Sequence, residues 1–239
     1  MLGVDAYQPM ATGVAVPRNR GAAAPRRLLA MPRQRLLQPA LKRGLDILGA
    51  GLLLLVLAPL FLLLALLIRA DGGPALYAHE RVGHGGRRFG CLKFRSMVVD
   101  SQARLAALLD ADPAARAEWE ATRKLKDDPR VTRIGRILRA TSLDELPQLI
   151  NVLRGEMSLV GPRPVVAAEL AEHYGAAAEA YLSVRPGVTG LWQVSGRSDT
   201  SYAARVALDA EYARTASLRT DLRILSRTPM VVLSRRGAY

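Results

Sequence analysis

The most chemically suggestive part of the chain is the acidic pair Asp144–Glu145, which follows a series of regularly spaced arginines. These arginines recur at intervals of three residues: Arg130, Arg133, Arg136 and Arg139. That spacing places them along one side of a helical stretch, which is either a solvated face or a surface that faces phosphate. A carboxylate can attack phosphorus or bind a metal ion, and arginine can clamp phosphate oxygens in a bidentate way. The combination therefore favours chemistry at a phosphate group.

A helix is predicted to position the acidic pair. The segment Ser142–Glu145 has the form of a capping box, with a serine N-cap and a glutamate at the third helical position. Apolar residues follow at helical spacing, and Gly155 suits the helix end. Asp144 then lies in a first turn, where free N–H groups and the positive end of the helix dipole favour phosphate. Acidic residues also stabilise first turns without any catalytic role, so both interpretations of the pair stay open.

A second phosphate-facing element is predicted at Gly161–Pro164, where one arginine stands between two prolines. Proline fixes its own φ angle and restricts the residue before it, so Arg163 has little backbone freedom. A guanidinium held in this way suits a contact with a phosphate or a uracil. The same sequence also suits a rigid surface turn.

A long apolar segment precedes these motifs. Ile47–Ile68 contains 22 residues and no charged side chain, and a helix of that length, at about 1.5 Å per residue, can span a bilayer. Pro59 lies near its middle, where proline removes a backbone hydrogen bond and bends a helix. Basic residues flank both ends, and the positive-inside rule places such residues in the cytoplasm. These features favour a re-entrant hairpin over the alternative, a straight signal-anchor helix with a kink.

Composition limits the other function classes. The 239 residues carry a formal net charge of +13, which suggests acidic partners such as nucleic acid, anionic lipid or phosphorylated substrates. Only 5% of the residues are aromatic, which leaves few side chains to stack on bases. Residues 1–40 are basic and lack a sustained period, so a disordered tail is predicted. The single cysteine, Cys91, excludes an intrachain disulfide and is expected to be buried.

The remaining patterns predict a small domain of mixed structure. Ala75–Val82 and Arg88–Met97 flank a glycine-rich turn, which is typical of a β-hairpin. Ser101–Lys124 is predicted to form one helix. Near the C-terminus a predicted amphipathic helix carries leucines on one face and arginines on another, which suits either a membrane interface or an ordinary core-facing helix. For Asp209 a structural ion pair and a site role are both open.

Several blocks in this order resemble a known family. Lys93–Met97, Thr141–Leu149, Asn151–Pro164 and Arg185–Arg197 resemble motifs of the bacterial sugar transferase family. Its members are monotopic phosphoglycosyl transferases that initiate exopolysaccharide, capsule and glycan assembly. The resemblance covers about residues 41 to 239, and the ending Arg236–Tyr239 is similar to the exopolysaccharide branch.

The resemblance implies a covalent mechanism. Asp144 would be the nucleophile that forms a phosphosugar intermediate, with UMP leaving, and Glu145 would bind Mg²⁺. Polyprenyl phosphate would then attack the intermediate. Basic residues that match family positions are expected to bind substrate: Lys93, Arg95, Arg139, Arg163 and Arg197. Family members also have a re-entrant membrane helix broken at a proline, which here corresponds to Pro59, although this chain has Ala58 where a serine is frequent.

The sequence as a whole predicts a mostly helical α+β protein of the bacterial inner membrane. Residues 41–70 form the re-entrant helix, and residues 71–239 form a cytoplasmic catalytic domain with a small β-hairpin and amphipathic interfacial helices. The expected reaction transfers a hexose-1-phosphate, of glucose or galactose, from a UDP-sugar to undecaprenyl phosphate, with Mg²⁺ as cofactor. Anionic membrane lipids and a second copy of the chain are further expected partners, and nucleic acid is not. The alternatives are a membrane-anchored basic binding protein and a glycosyltransferase that releases UDP.

Overall fold

The computed structural model describes residues 33–122, 125–196 and 200–234. Helices predominate there, as predicted, and short 3₁₀ turns join several of them. In chain order the elements are α1 (Arg33–Arg69), β1 (Leu76–Val82), β2 (Arg88–Phe94), α2 (Ser101–Ala111), α3 (Pro113–Thr122), α4 (Arg133–Ala140), α5 (Gln148–Arg154), β3 (Ser158–Val160), α6 (Ala167–His173), α7 (Ala178–Leu182), β4 (Gly187–Thr189), α8 (Leu191–Val194), α9 (Tyr202–Thr215) and α10 (Leu218–Ser234).

The predicted β-hairpin is confirmed. β1 and β2 pair in antiparallel fashion along their full length. Successive strand residues point to opposite faces, so alternate residues and their cross-strand partners share one face. On one face the pairs are Tyr77–Lys93, His79–Cys91 and Arg81–Phe89. In the connecting turn Gly85 and Gly86 have φ angles of 65° and 79°, a conformation that favours glycine.

The prediction does not include a second, parallel pair of strands, β3 and β4. Backbone hydrogen bonds extend this pairing: the N–H of Gly161 donates to Thr189 O at 2.9 Å, and that of Gly187 donates to Pro162 O at 2.8 Å. At both glycines a Cβ atom would overlap with neighbouring backbone atoms. The two glycines therefore permit the close approach that fixes the segment carrying Arg163.

The prediction of one helix over Ser101–Lys124 is wrong, because the stretch is divided into α2 and α3. Pro113 opens α3, where its missing N–H costs no helical hydrogen bond. The side chain of Asp112 accepts hydrogen bonds from the N–H groups of Ala114 and Ala115 at 2.9 and 3.1 Å, which satisfies free donors of the new helix. The Asp-Pro pair therefore ends one helix and begins the next.

The long apolar element is α1. It is one helix that includes Pro59, so no interruption separates two membrane helices. It begins at Arg33, within the segment 1–40 that was expected to be disordered, and residues 1–32 lie outside the described part of the chain. Its portion Pro39–Arg69 is long and apolar enough to cross a membrane by length and composition. Only 11% of its most apolar window is buried inside the protein, so α1 exposes a largely apolar surface.

Both halves of α1 contact the same domain. In the N-terminal half, Arg43 donates a hydrogen bond to Val152 O at 2.6 Å, at the end of α5. In the C-terminal half, Ile68 packs in a buried cluster with Phe94 of β2 and Leu138 of α4. The helix is therefore attached to the domain on each side of its central proline.

A buried polar network reinforces the N-terminal attachment. Lys42 Nζ lies 3.3 Å from Asp46 Oδ1 and 2.8 Å from Asp221 Oδ2, and each carboxylate side chain is 2% exposed. Asp46 also accepts a hydrogen bond from Ser158 Oγ at 3.0 Å. Asp221 accepts one from the Tyr212 hydroxyl at 2.8 Å. The network thereby joins α1 to β3, α9 and α10.

Candidate active site

The acidic pair lies in a 3₁₀ turn, Leu143–Glu145, shortly before α5. The predicted capping box is wrong, because Ser142 has a left-handed φ of 57° and its side chain makes no capping hydrogen bond. Pro147 stands at the N-terminal boundary of α5, where its missing N–H leaves the helix intact. The predicted helix end is confirmed, since Gly155 caps α5 with a φ of 82°. A tight turn, and not the first turn of an α-helix, therefore holds the two carboxylates.

Lys93 links the hairpin to the acidic pair. Its Nζ lies 2.8 Å from Glu145 Oε1 and 3.7 Å from Asp144 Oδ2. From the segment after β3, Arg163 Nη1 lies 3.6 Å from the same Glu145 oxygen. Three motifs that are far apart in sequence thus meet at one place, where two cations face two adjacent carboxylates.

Arg139 approaches this place from α4. Its Nε donates a hydrogen bond to Ser96 Oγ at 2.9 Å, and its charge acts on Asp144. Burial raises the pKa of Asp144, whose side chain is 13% exposed, and the charge of Glu145 acts in the same direction. The surrounding cations oppose that shift. They therefore favour the ionised carboxylate, which is the nucleophilic form.

Another predicted substrate-binding residue, Arg95, does not lie at this place. The Nη2 of Arg95 donates to Ile68 O at 2.8 Å and to Asp71 Oδ1. The side chain of Arg95 therefore lies at the end of α1 and does not follow Lys93 to the acidic pair. Arg197 lies outside the described residues.

The four regularly spaced arginines do not share one face. Arg130 precedes α4 and is buried in a bidentate contact with Asp128, at 2.8 and 2.7 Å. Arg133 and Arg136 are exposed on α4. Of the series, Arg139 is therefore the member that the fold brings next to the acidic pair.

The pocket beside the acidic pair is also lined by residues that the sequence did not single out: Arg81, Gln148 and Gln193. Strand alternation could have indicated Arg81, because it shares the hairpin face with Lys93. The Oε1 atom of Gln193 is buried and has no hydrogen-bond donor among the described residues. A buried acceptor at a pocket wall suits a hydroxyl or N–H group of a ligand.

Asp209 belongs to a buried network behind the pocket. It accepts a hydrogen bond from the Tyr174 hydroxyl at 2.7 Å, and Arg205 Nε lies 4.0 Å away. Burial raises the pKa of Asp209 to about 6. Arg205 lies 5.0 Å from the centre of the Trp192 ring, and Arg163 lies 5.6 Å from it. These contacts favour a structural role, in which the network supports the segment that carries Arg163.

The two carboxylates of the pair suit a magnesium ion that is shared with a substrate. Proteins commonly hold Mg²⁺ through one or two carboxylates together with substrate phosphates and water. Across residues 33–122, 125–196 and 200–234, no cluster of three or more His, Cys, Asp or Glu side chains could hold a metal ion. Glu145, with an oxygen that faces two cations, provides the hard oxygen donor that Mg²⁺ prefers.

The structure combines a long apolar helix with paired carboxylates and converging cations. This combination is typical of a class of protein that is suited to phosphate chemistry at a membrane. The comparison with protein families is consistent with this class. Residues 37–235 match the family model described as bacterial sugar transferase, and the chain therefore belongs to that family.

Individual relatives align over the same part of the chain. The UDP-galactose-lipid carrier transferase of Erwinia amylovora is 56% identical over 199 residues, which are 83% of this chain and 42% of that protein. The undecaprenyl-phosphate galactose phosphotransferase of Salmonella typhimurium is 54% identical with the same coverage. The exopolysaccharide production protein ExoY of Sinorhizobium fredii is 55% identical over 83% of this chain and 88% of that protein. The chain thus spans less than half of the first two relatives and most of the third.

Proposed function

We propose that this protein transfers a hexose-1-phosphate from a UDP-sugar to undecaprenyl phosphate, as the first membrane step of exopolysaccharide synthesis. The observation that carries the proposal is the mostly buried Asp144 beside Glu145, with Lys93 and Arg163 facing the pair. The names of relatives support it, since they include an undecaprenyl-phosphate galactose phosphotransferase and an exopolysaccharide production protein.

In the first step a carboxylate oxygen of Asp144 attacks the phosphorus that carries the sugar. The bond from that phosphorus to the oxygen of UMP breaks, and UMP leaves with the electron pair. The products are UMP and an aspartyl-phosphosugar. Lys93 and Arg163 bind the phosphate oxygens and stabilise the charge that develops on them.

In the second step a phosphate oxygen of undecaprenyl phosphate attacks the same phosphorus. The bond to Asp144 breaks, which restores the carboxylate and releases undecaprenyl-diphosphate-sugar. Glu145 would hold Mg²⁺, which when bound neutralises charge on the diphosphate. Arg139 adds positive charge near the nucleophile in both steps.

Released nucleotide tests the reaction. The purified protein should release UMP from UDP-glucose or UDP-galactose when undecaprenyl phosphate and Mg²⁺ are present, measured by chromatography across a panel of UDP-sugars. Release of UDP would instead identify a conventional glycosyltransferase. A chain that releases no nucleotide from any donor, with or without Mg²⁺, would agree with the basic binding protein and not with an enzyme.

We also propose that α1 bends at Pro59 within the membrane, so that the continuous helix enters the cytoplasmic face of the inner membrane and returns to it. The attachments at Arg43 and Ile68 lie on opposite sides of Pro59 and hold the same domain. A domain held at both places lies on one side of the bilayer, while the exposed leucines between them enter the apolar layer. On α10, Leu222 is 56% exposed and lies next to exposed Arg223, which suits contact with anionic lipid headgroups.

Cysteine labelling tests this topology. Ala40→Cys and Ala70→Cys lie at exposed positions near the two ends of the apolar segment, and a membrane-impermeant maleimide should label both from the cytoplasmic side. Native Cys91 is 0% exposed and should contribute little background. Lys126→Cys provides an exposed reference on the domain. Labelling of the two helix positions from opposite sides would establish a straight membrane span.

A further inference from the structure

One partly buried cation of the pocket, Arg81, has no role in the proposed mechanism. Arg81 lies on β1, and its side chain is 15% exposed. It lines the pocket together with Lys93, Arg163 and Glu145. The charged lining residues in the described part of the chain are thus three cations and one carboxylate, Glu145. That carboxylate already faces Lys93 and Arg163.

Two neighbours hold Arg81 in place. Its Nη1 lies 3.6 Å from Glu169 Oε1, and its Nη2 donates a hydrogen bond to His79 Nδ1 at 3.0 Å. Burial lowers the pKa of His79 to about 4, and the charge of Arg81 acts in the same direction. The imidazole is therefore neutral near pH 7, so Nδ1 can accept. Glu169 is itself fixed, because the Tyr202 hydroxyl donates to it at 3.0 Å and Arg205 Nη2 lies 3.6 Å away.

The guanidinium groups of Arg81 and Arg163 line the same pocket, and the charge of Arg163 acts on Arg81. Burial lowers the pKa of Arg81, Glu169 opposes that shift, and the positive charge of Arg163 adds to it. Holding like charges together in a partly desolvated place is unfavourable unless an anion lies between them. A phosphate group is such an anion, and it matches the fork of donors that each guanidinium presents.

Arg81 and Lys93 mark opposite ends of the pocket face of the hairpin. Lys93 pairs with Tyr77, and Arg81 lies four residues further along β1, about 13 Å at roughly 3.3 Å per residue. Lys93 is at the end near α1, because the adjacent Phe94 packs against Ile68. In the proposed topology, an acceptor lipid that comes from the bilayer would reach the acidic pair at the Lys93 end. The opposite end, at Arg81, is left for the nucleotide half of the donor.

We propose that Arg81 binds the phosphate of the UMP half of the donor and that Glu169 positions Arg81 for this contact. The inference rests on the proposed function and adds a residue to it. As the bond between phosphorus and the UMP oxygen breaks, negative charge develops on the phosphate that leaves. The guanidinium of Arg81 stabilises that charge, while Lys93 and Arg163 remain with the phosphate that carries the sugar.

Binding of UMP and uridine by the full chain in lipid nanodiscs tests the inference. Arg81→Gln should weaken UMP binding, measured by calorimetry, by about 10- to 100-fold, as for the loss of hydrogen bonds to a charged group. It should leave the affinity for uridine unchanged, measured by ligand-observed NMR, because uridine lacks the phosphate. Binding of a short-chain polyprenyl phosphate should also be unchanged. Arg81→Lys keeps the charge but loses the fork, so an intermediate loss is expected.

Glu169→Gln separates positioning from simple support of the fold. The amide keeps an acceptor for the Tyr202 hydroxyl but loses the charge that holds Arg81, so UMP binding should weaken while uridine binding is retained. If Glu169 acts through Arg81, the double variant should bind UMP no more weakly than Arg81→Gln alone. The matched control is Arg88→Gln, an exposed arginine of the same hairpin that pairs with Glu80; it should bind UMP as the wild type does.

Several results would overturn the inference. If Arg81→Gln bound UMP with the same affinity as the wild type, the proposed contact between Arg81 and the phosphate would be excluded. The proposed function would still stand in that case if the wild-type protein released UMP. An equal loss of UMP and uridine binding would show damage to the fold, and a loss confined to polyprenyl phosphate would assign Arg81 to the acceptor. An additive double variant would exclude the positioning role of Glu169. Wild-type protein that neither binds UMP nor releases it would contradict both proposals.

Discussion

Asp144→Asn is expected to abolish sugar-phosphate transfer. The substitution keeps the size of the side chain but removes the anionic oxygen that is proposed to attack phosphorus, so turnover should fall by more than roughly 10³-fold. A trapped intermediate gives a second measurement. Wild-type protein incubated with a UDP-sugar and Mg²⁺, without undecaprenyl phosphate, should gain the mass of one sugar phosphate by intact-protein mass spectrometry. The variant should gain none.

The control makes the same chemical change at the surface. Asp100 is paired with Arg104, and its side chain is 57% exposed. Asp100→Asn should therefore retain both turnover and the mass increase. An Asp144→Asn protein that stays fully active, or that still acquires the sugar phosphate, would show that the nucleophile is another residue.

Lys42→Met is expected to cause a large loss of stability. It removes the cation shared by Asp46 and Asp221, which are buried between α1 and the domain. Breaking a buried ion pair in this way costs about 3 kcal/mol or more, because a charge is left without its partner. Thermal unfolding in detergent micelles should therefore begin at a markedly lower temperature. Limited proteolysis should cut the N-terminal half of α1 earlier than in the wild type.

Lys126→Met serves as the matched control, because Lys126 is exposed and far along the chain from α1. It should unfold at the wild-type temperature. If Lys42→Met also unfolds at that temperature and resists protease equally, the polar network is not what attaches the helix to the domain. The hydrogen bond from Arg43 to α5 would then be the main attachment in this half.

Patterns within short segments of the sequence predicted those elements whose conformation is determined by residues adjacent in the chain. Glycines at the turn and alternating residues beside it were enough for the β-hairpin, and Gly155 was enough for the end of α5. The resemblance to the family, and not a local pattern, indicated that Lys93, the acidic pair and Arg163 belong to one site, and the fold brings these residues together. For the hairpin and the helix end, by contrast, one short segment determines the conformation.

The predictions that failed depend on tertiary contacts, which a single segment of the sequence does not show. Ser142 resembles an N-cap, yet its left-handed backbone places the acidic pair in a 3₁₀ turn before α5. Lys93 and Arg95 share a strand spacing, but the end of α1 beside the hairpin gives Arg95 other partners, Ile68 and Asp71. Strand alternation in the predicted hairpin could have placed Arg81 on the face of Lys93, but only the tertiary packing shows that this face lines the pocket.

The two attachments of α1 have a consequence for the distance between the active site and the lipid. A domain on one flexible tether can tilt and drift, and its site then samples many heights above the bilayer. In the proposed topology, a domain held on both sides of Pro59 keeps its acidic pair at a constant height above the bilayer. The phosphate of the proposed polyprenyl acceptor would likewise be confined to the headgroup layer. Their encounter would then be restricted to two dimensions, and part of the entropy cost of bringing them together would be met before the lipid arrives.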